Sequence, residues 1–462
     1  MNGDFVRPPA MMSLDDVAIG ANGLLQGSRV AISGVTTDSR KISAGDLFVA
    51  LVGERFDGHA FVQESMRRGA VAALVSRRVE ADFPIPQVIV DDTRLGLGRL
   101  AGSWRARFAL PLVALTGSNG KTTVKEMVAS ILATYCESRD DVLATTGNLN
   151  NDIGMPLTLL GLRDRHRYAV IEMGMNHEGE IDYLTRIARP DVALVNNAHR
   201  AHVGLLGSLE AVARAKGEIY SGLSDDGIAL VNEDELFAGY WRGLNEGRRV
   251  VTFGLRPSAD VHASSDGMQA RFVTPVDAFA VTLQVAGEHN LRNAVAACAI
   301  AHALEIPPHA IQSGLAAFAG VPGRLQRRPS AKGALVIDDT YNANPESMKA
   351  AIAVLARESG RRIFVMGDMG ELGPDAGAMH AEVGAFAREK GIDALYALGK
   401  DSAHSVKAFG AAGRHFDSRD ALIEAAAMQA GPQVTILVKG SRFMEMERVA
   451  DALAAPGGTH AA

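Results

Sequence analysis

The chain has little cysteine or tryptophan, two of each in 462 residues. Cys136 and Cys298 are too few and too far apart for a disulfide framework or a cysteine zinc site, which fits a reducing compartment. No apolar run reaches the ~18 residues that a membrane-spanning helix requires. The nearest approach, 294–304, is Ala-rich, contains His302 and reads as a buried helix. Residues 1–13 lack a basic stretch followed by an apolar one, so no signal peptide is expected. Positive charge is not in excess either, with 47 Lys and Arg against 53 Asp and Glu for a net −6, which argues against a globally basic nucleic-acid binder. Repeats of 20–50 residues and long low-complexity tracts are also missing. These absences predict a cytoplasmic protein with no membrane insertion and no nucleic-acid partner.

What is present is a hydrophobic fraction of 47%, enough for a substantial core, in a chain long enough for about three domains. The organising stretch is Val113-Ala-Leu-Thr-Gly-Ser-Asn-Gly-Lys-Thr-Thr123. An apolar run from Leu112 to Leu115 reads as a buried strand, a Gly-rich turn follows, and a helical pattern begins at Thr122. That is the layout of a phosphate-binding loop. Gly117 and Gly120 allow the backbone to point several N–H groups inward, and the following helix adds the positive end of its dipole. Lys121 would reach the outer phosphates and Thr122 would offer its hydroxyl to Mg²⁺. The spacing is shorter than the usual G-x-x-x-x-G-K-[ST], because Leu115 stands where the first glycine would fall.

Residues 1–109 read as a separate smaller α/β unit, with strands at Leu47–Leu51, Ala72–Val75 and Val88–Val90 and a helix at Ala60–Arg68. Its cluster Thr36-Thr-Asp-Ser-Arg40 can grip a polar ligand or form an Asx-type turn with a solvated arginine. From 110 to 320 strands alternate with helices, at Tyr168–Glu172, Val192–Asn196, Gly227–Val231, Arg249–Phe253 and Val281–Val285. This is the pattern of a parallel sheet wound on both faces, whose ligands sit beyond the carboxyl ends of the strands. Glu172, Asn196 and His199 fall at such ends, with His202 close behind. Thr122 and Glu172 suit one Mg²⁺, a cation that prefers oxygen ligands. Lys216 lies on an amphipathic run, where a lysine is solvated by default. Asn290 and Asn293 open the Ala-rich helix and suit either an adenine edge or a helix cap. From 321 to 462 a second open α/β sheet is expected, with strands at Ala334–Asp338, Arg362–Met366, Ala394–Leu398 and Val434–Val438. Asp339 could accept ribose hydroxyls there, and Asn342 and Asn344 could reach a ligand or brace their loop.

These motifs together resemble the Mur ligase family. The resemblance rests on Leu115-Thr-Gly-Ser-Asn-Gly-Lys-Thr-Thr123, Thr145-Thr-Gly-Asn-Leu-Asn-Asn-Asp-Ile-Gly-Met-Pro156, Ile171-Glu-Met-Gly-Met-Asn176, Asn196-Asn-Ala-His199 and Asp338-Asp-Thr-Tyr-Asn-Ala-Asn-Pro345. They span nearly the whole chain, and the short loop spacing is the family's own. The resemblance implies three domains: a uridine-nucleotide domain, a central P-loop-type ATPase domain with a doubly wound sheet, and a Rossmann-like C-terminal domain. Within the family, the second and last phrases point to the branch that joins D-alanyl-D-alanine to UDP-N-acetylmuramoyl-tripeptide at the expense of ATP. The route implied is an acyl phosphate, since a carboxylate alone has no adequate leaving group.

Family roles then transfer residue by residue. Gly117, Ser118, Asn119, Gly120, Lys121, Thr122 and Thr123 would hold the ATP phosphates. Thr122 and Glu172 would bind one Mg²⁺ and His199 a second, with Lys216 at the position that several members carbamylate. Asn290 and Asn293 would flank adenine, with Arg324 and Asp339 at the ribose and phosphates. Thr37, Ser39 and Arg40 would lie near the uridine end of the substrate, and Asn148, Asn150 and Asn151 near its sugar or peptide arm. The enzyme is expected to act as a monomer. Two alternatives stand beside this reading: a related amino-acid-adding or folylpolyglutamate ligase, and a P-loop switch. The absence of an Asn-Lys-x-Asp motif argues against the switch.

Overall fold

The computed structural model describes residues 10–54, 56–200, 203–285 and 287–455. Three large sheets succeed one another along the chain, each flanked by helices. The first has five strands, in the order Leu24–Gln26, Gln87–Ile89, Ala72–Val75, Asp46–Val49, Gly34–Thr36, and all but the Leu24 strand run parallel. The helix foreseen at Ala60–Arg68 is a 3-10 turn, Gly58–Phe61, that continues as the helix Val62–Arg67.

The helix Thr93–Arg105 was not foreseen, because Gly96, Gly98 and Gly102 lower its propensity. Tertiary contact overrides that preference. Asp92 caps it by accepting from Arg94 N at 2.7 Å and Leu95 N at 3.0 Å, and Leu97, Leu100, Ala101 and Trp104 bury one face. Gly98 is required by packing, since a Cβ there would stand 2.0 Å from the Tyr183 hydroxyl.

The central sheet has nine strands in the order Ala278–Thr282, Gln269–Val273, Val261–Asp266, Arg249–Gly254, Ile228–Asn232, Val192–Val195, Leu112–Thr116, Tyr168–Glu172, Val142–Ala144. Those from Val142 to Val261 are parallel, and a hairpin adds the two antiparallel strands at the far edge. The expected strand at Val281–Val285 is thus displaced to Ala278–Thr282, where pairing with Gln269–Val273 sets its register. From the Leu112 strand the chain passes to the Val142 edge strand, returns to Tyr168 beside Leu112 and then crosses to Val192 on the other side of Leu112, so strand order reverses beside the phosphate loop. Crevices at such reversals are where open α/β sheets bind ligands.

The C-terminal sheet is parallel except for its first edge strand, in the order Gln326–Pro329, Leu335–Asp339, Val434–Lys439, Arg361–Gly367, Ala394–Leu398, Gly413–Phe416. Its two apolar clusters contain only residues from 325 onward. By contrast, one continuous cluster unites Val17, Leu47, Leu97 and Trp104 with Leu112, Leu159, Ile181 and Trp241. Each large apolar side chain in such a cluster contributes about 1.5–3 kcal/mol by burial. The first and central units are therefore fused through a shared core, whereas the C-terminal unit meets the central one mainly through polar groups.

Candidate active site

The phosphate loop joins the buried strand Leu112–Thr116 to the helix Lys121–Cys136. Gly120 has φ 79°, and a Cβ on it would fall 2.2 Å from Asn293 Oδ1, so only glycine fits. Lys121 Nζ donates to Gly117 O at 2.6 Å. Burial pulls the pKa of Lys121 down, and the nearby Glu172 carboxylate opposes that.

Strand pairing sets Glu172 beside Leu115, at the level where the loop begins. Thr122 Oγ1 donates to Glu172 Oε2 at 2.8 Å, and Asn150 Nδ2 donates to Oε1 at 2.8 Å. Glu172 is 2% exposed. A buried carboxylate and a hydroxyl in contact are oxygen donors of the kind a hard divalent cation takes, so the residues fit Mg²⁺.

Behind them, Asn119 N donates to Asn197 Oδ1 at 2.8 Å and Asn119 O accepts from Asn196 Nδ2 at 2.9 Å. Ser118 and His199 exchange two bonds, His199 N donating to Ser118 Oγ at 2.9 Å and that hydroxyl donating to His199 O at 3.1 Å. The imidazole lies between two groups, with Nδ1 3.3 Å from Asn119 Nδ2 and Nε2 3.3 Å from Glu235 Oε1. An amide N–H can only donate, so Nδ1 accepts and Nε2 carries the proton toward Glu235. Glu235 was not foreseen; carboxylates just past the strand end at Asn232 were the available signal. Among the described residues no group of three or more His, Cys, Asp or Glu gathers into a metal cluster. His202 lies outside the described residues.

Lys216 corrects the expectation of a solvated lysine. It is 1% exposed, near the end of the helix Leu209–Gly217, and among the described residues it has no hydrogen-bond or ion-pair partner. That helix also buries Ala211, Val212, Ala213, Ala215 and Gly217, so it offers no solvent face at this position. Burial drives the Lys216 amine well below its ordinary range, and repulsion from Lys121 adds to the effect.

The C-terminal unit supplies the opposite wall. Arg324 Nη2 donates to Thr122 Oγ1 at 2.8 Å, and its guanidinium lies 4.1 Å over the Tyr341 ring. Asn344 caps the helix Pro345–Leu355 and donates from Nδ2 to Asn119 Oδ1 at 2.7 Å. Asp339 is held by Lys439 Nζ at 2.6 Å, and that ammonium also donates to Asn342 O at 2.9 Å. Arg200 bridges the units, reaching Glu346 at 2.5 Å and Glu382 at 2.8 and 3.1 Å. The walls enclose a cleft of about 1400 Å³.

Ser118, Asn119, Gly120, Lys121 and Thr123 line this cleft, as do Glu172, His199, Asn290 and Asn293. Arg324, Asp339, Asn342 and Asn344 line it from the C-terminal side, and Asn148, Asn150 and Asn151 from another. Gly117 and Thr122 bond to residues that do. Thr37, Ser39 and Arg40 stand apart from it. They follow the edge strand Gly34–Thr36, and Arg40 turns back onto Asp38 with two bonds of 2.9 Å. Asp38 Oδ1 also accepts from Arg40 N at 3.0 Å, the Asx-type turn that the sequence left open.

The chain belongs to the Mur ligase family. It matches the Mur ligase catalytic domain over residues 31–104, the middle domain over 115–301 and the glutamate ligase domain over 323–442. It is 45% identical over 440 residues to the UDP-N-acetylmuramoyl-tripeptide--D-alanyl-D-alanine ligase of Escherichia coli K12, covering 94% of this chain and 96% of that one. A solved UDP-N-acetylmuramoylalanyl-D-glutamyl-2,6-diaminopimelate--D-alanyl-D-alanyl ligase from Acinetobacter baumannii superposes with a TM-score of 0.86 at 37% identity, covering 97% and 99%. The MurF ligase of Thermotoga maritima in complex with ADP superposes at 0.79 with 28% identity, covering 91% and 96%.

Proposed function

We propose that this protein is the ATP-dependent ligase that joins D-alanyl-D-alanine to UDP-N-acetylmuramoyl-tripeptide in peptidoglycan precursor synthesis. The observation that carries the reading is the Thr122–Glu172 contact at the head of a phosphate loop, closed over by Arg324 from another unit. The relatives' names supply the substrates, and the ADP complex of the Thermotoga relative supports ATP as the phosphoryl donor. The Acinetobacter relative's name supports diaminopimelate as the third peptide residue.

In this reading the loop amides from 117 to 123 and Lys121 hold the phosphates of ATP. Asn290 and Asn293 flank adenine, and Arg324 and Asp339 meet the ribose and phosphates. Thr122 and Glu172 would hold one Mg²⁺ and His199 a second, and such ions offset charge on the phosphoryl group in transfer. An oxygen of the tripeptide carboxylate attacks the γ-phosphorus and ADP leaves. The amine of D-alanyl-D-alanine then attacks the acyl carbon, the tetrahedral intermediate expels phosphate, and the amine loses a proton. The cleft walls exclude water from the hydrolysable acyl phosphate. Asn148, Asn150, Asn151, Asn342 and Asn344 position the peptide and its acceptor, and Thr37, Ser39 and Arg40 take the distant uridine end of a long substrate.

Lys216 is assigned as a carbamylated lysine. Its neutral amine is the form that adds to CO₂, and the carbamate would supply the anion that its pocket otherwise lacks. The units divide at 1–109, 110–320 and 321–462, the last of them closing about its junction near 320. We further assign a monomer working in the cytoplasm, with ATP at hand; among the described residues no helix is long and apolar enough to cross a membrane. The test is release of phosphate by the purified chain with ATP and Mg²⁺. Turnover should require both the tripeptide nucleotide and D-alanyl-D-alanine, and indifference to the dipeptide would refute the assignment.

A further inference from the structure

One arm of the cleft runs between the N-terminal helix Thr93–Arg105 and the loop that follows Asn150, and its polar groups take no part in nucleotide or metal binding as assigned above. Arg94 Nε lies 3.1 Å from Asp152 Oδ2; both side chains line the cleft and are 54% and 31% exposed to solvent. Tyr183, on the helix Glu180–Ala188, lines the same arm. Its hydroxyl packs against Gly98, one turn along the helix from Arg94, and is buried with no hydrogen-bond partner among the described residues. Leu95 adds an exposed apolar side chain beside them. An unpartnered phenol against a cation and an anion is a polar arrangement one member short.

The arm is the right distance from the reacting atoms. Asn150 touches Glu172 at 2.8 Å, and Asp152 is two residues further along the same loop. Two residues of chain span at most about 7 Å. In a diaminopimelate residue, the distal amino-acid centre lies roughly 6 Å from the carboxyl carbon that is activated, across five bonds of about 1.5 Å. That distal centre is a zwitterion, with one carboxylate and one ammonium on the same carbon. A lysine side chain presents the ammonium alone.

We propose that Arg94, Asp152 and Tyr183 form a specificity subsite that reads the distal zwitterion of diaminopimelate in the tripeptide substrate. Arg94 and the Tyr183 hydroxyl donate to the distal carboxylate, Asp152 accepts from the distal ammonium, and Leu95 lies along the methylenes between the two centres. With lysine in the third position Asp152 still finds its partner. Arg94 and the phenol then face no anion, and Arg94 repels the incoming ammonium, so the site selects by repulsion as well as by attraction. This inference rests on the ligase function proposed above and adds the residues that choose the third peptide residue.

The test compares steady-state kinetics on two nucleotides that end in diaminopimelate or in lysine. Equilibrium binding of each nucleotide without ATP serves as a second readout, free of turnover. The wild type should favour the diaminopimelate nucleotide. Arg94→Ala should cut that preference about 10- to 100-fold, the worth of a charge-assisted pair, through KM rather than kcat. Asp152→Asn should weaken both nucleotides alike, and Tyr183→Phe should reduce the preference about 5-fold, the worth of roughly one neutral hydrogen bond. Thermal melts identify any variant that is merely unfolded, and Arg94→Lys, which keeps the charge, should restore part of the preference. If Arg94→Ala weakens both nucleotides equally while the wild type ligates normally, the subsite is overturned and the ligase function stands. If the wild type uses neither nucleotide, the ligase function falls and the subsite with it.

Discussion

Asn344 caps a helix of the C-terminal unit and donates to Asn119 Oδ1 of the phosphate loop at 2.7 Å, so a single amide links the third sheet to the residues that would hold ATP. Arg324 to Thr122, Arg200 to Glu346 and Glu382, and Gly204 N to Glu371 O belong to the same polar seam. Among the described residues no apolar cluster joins the chain from 325 onward to the central unit, unlike the core shared by the first two units. Closure of the cleft is therefore expected at the 320 junction and not near 109. Hydrogen exchange should show fast opening at 320–325 in the ligand-free chain and protection there with ADP. Equal opening near 106–111 would contradict it.

Arg200 holds the Glu382 carboxyl down at about 2, against an ordinary value of 4.5. A depressed carboxyl stabilises the native state above its unfolded pKa, and that support fades as pH falls from 4.5 toward 2. Both side chains are partly exposed, so solvent screening limits the effect to below about 1 kcal/mol. Acid unfolding of Glu382→Gln should lack this part of the wild-type pH dependence. Arg200→Ala should raise the KM for ATP several-fold by loosening the closed arrangement.

Glu172→Gln keeps the size of the side chain and its bond to Thr122 while removing the charge. Turnover should fall by roughly 10²–10³ or more, as when an electrostatic stabiliser of a phosphoryl-transfer site is lost. Circular dichroism should be unchanged, and Mg²⁺ titration should show weakened dependence. Activity near that of the wild type would remove Glu172 from the metal site.

Lys216→Met tests the buried amine in two directions. An unfolded lysine keeps its proton to about 10.4, whereas the native one releases it at much lower pH. Unfolding of the unmodified protein therefore takes up a proton, and in bicarbonate-free buffer wild-type stability should rise with pH across the neutral and mildly alkaline range. The Met variant should lose that slope and be more stable near neutrality by about 1–3 kcal/mol, since it buries no unpaired polar group. It should also be inactive. A mass increase of one CO₂ on Lys216 in bicarbonate, absent without it, would establish the carbamate, and a wild-type melt with no pH slope would show that the amine is not neutral.

Gly120→Ala should abolish nucleotide binding, because the new methyl meets Asn293 Oδ1 and the positive φ disfavours any side chain. Calorimetry should show ADP affinity down by more than tenfold with the overall fold retained. A variant that binds ADP normally would mean that the loop adapts at little cost.

The strands carrying chemistry were legible because parallel strands buried on both faces read as short apolar runs, as at Tyr168–Glu172 and Ala394–Leu398. The helix Thr93–Arg105 was not, since its glycines lower local propensity and Gly98 is set by packing against Tyr183. Likewise the outer hairpin of the central sheet took its register from a partner that no local pattern announces.

By itself, the sequence determined the local chemistry. A strand, two glycines and Lys-Thr make a phosphate loop because backbone geometry and side-chain donors are short-range properties, and Glu172 is at a strand tip by its position in the run. Only the tertiary structure decided which groups meet. Burial of Lys216 depends on what packs around its helix, and the partner of His199 is a glutamate 36 residues away in sequence. The Arg94, Asp152 and Tyr183 arm exists only where three separate elements converge. Exposure, pKa and coordination are set by such long-range contacts, and no window of sequence contains them.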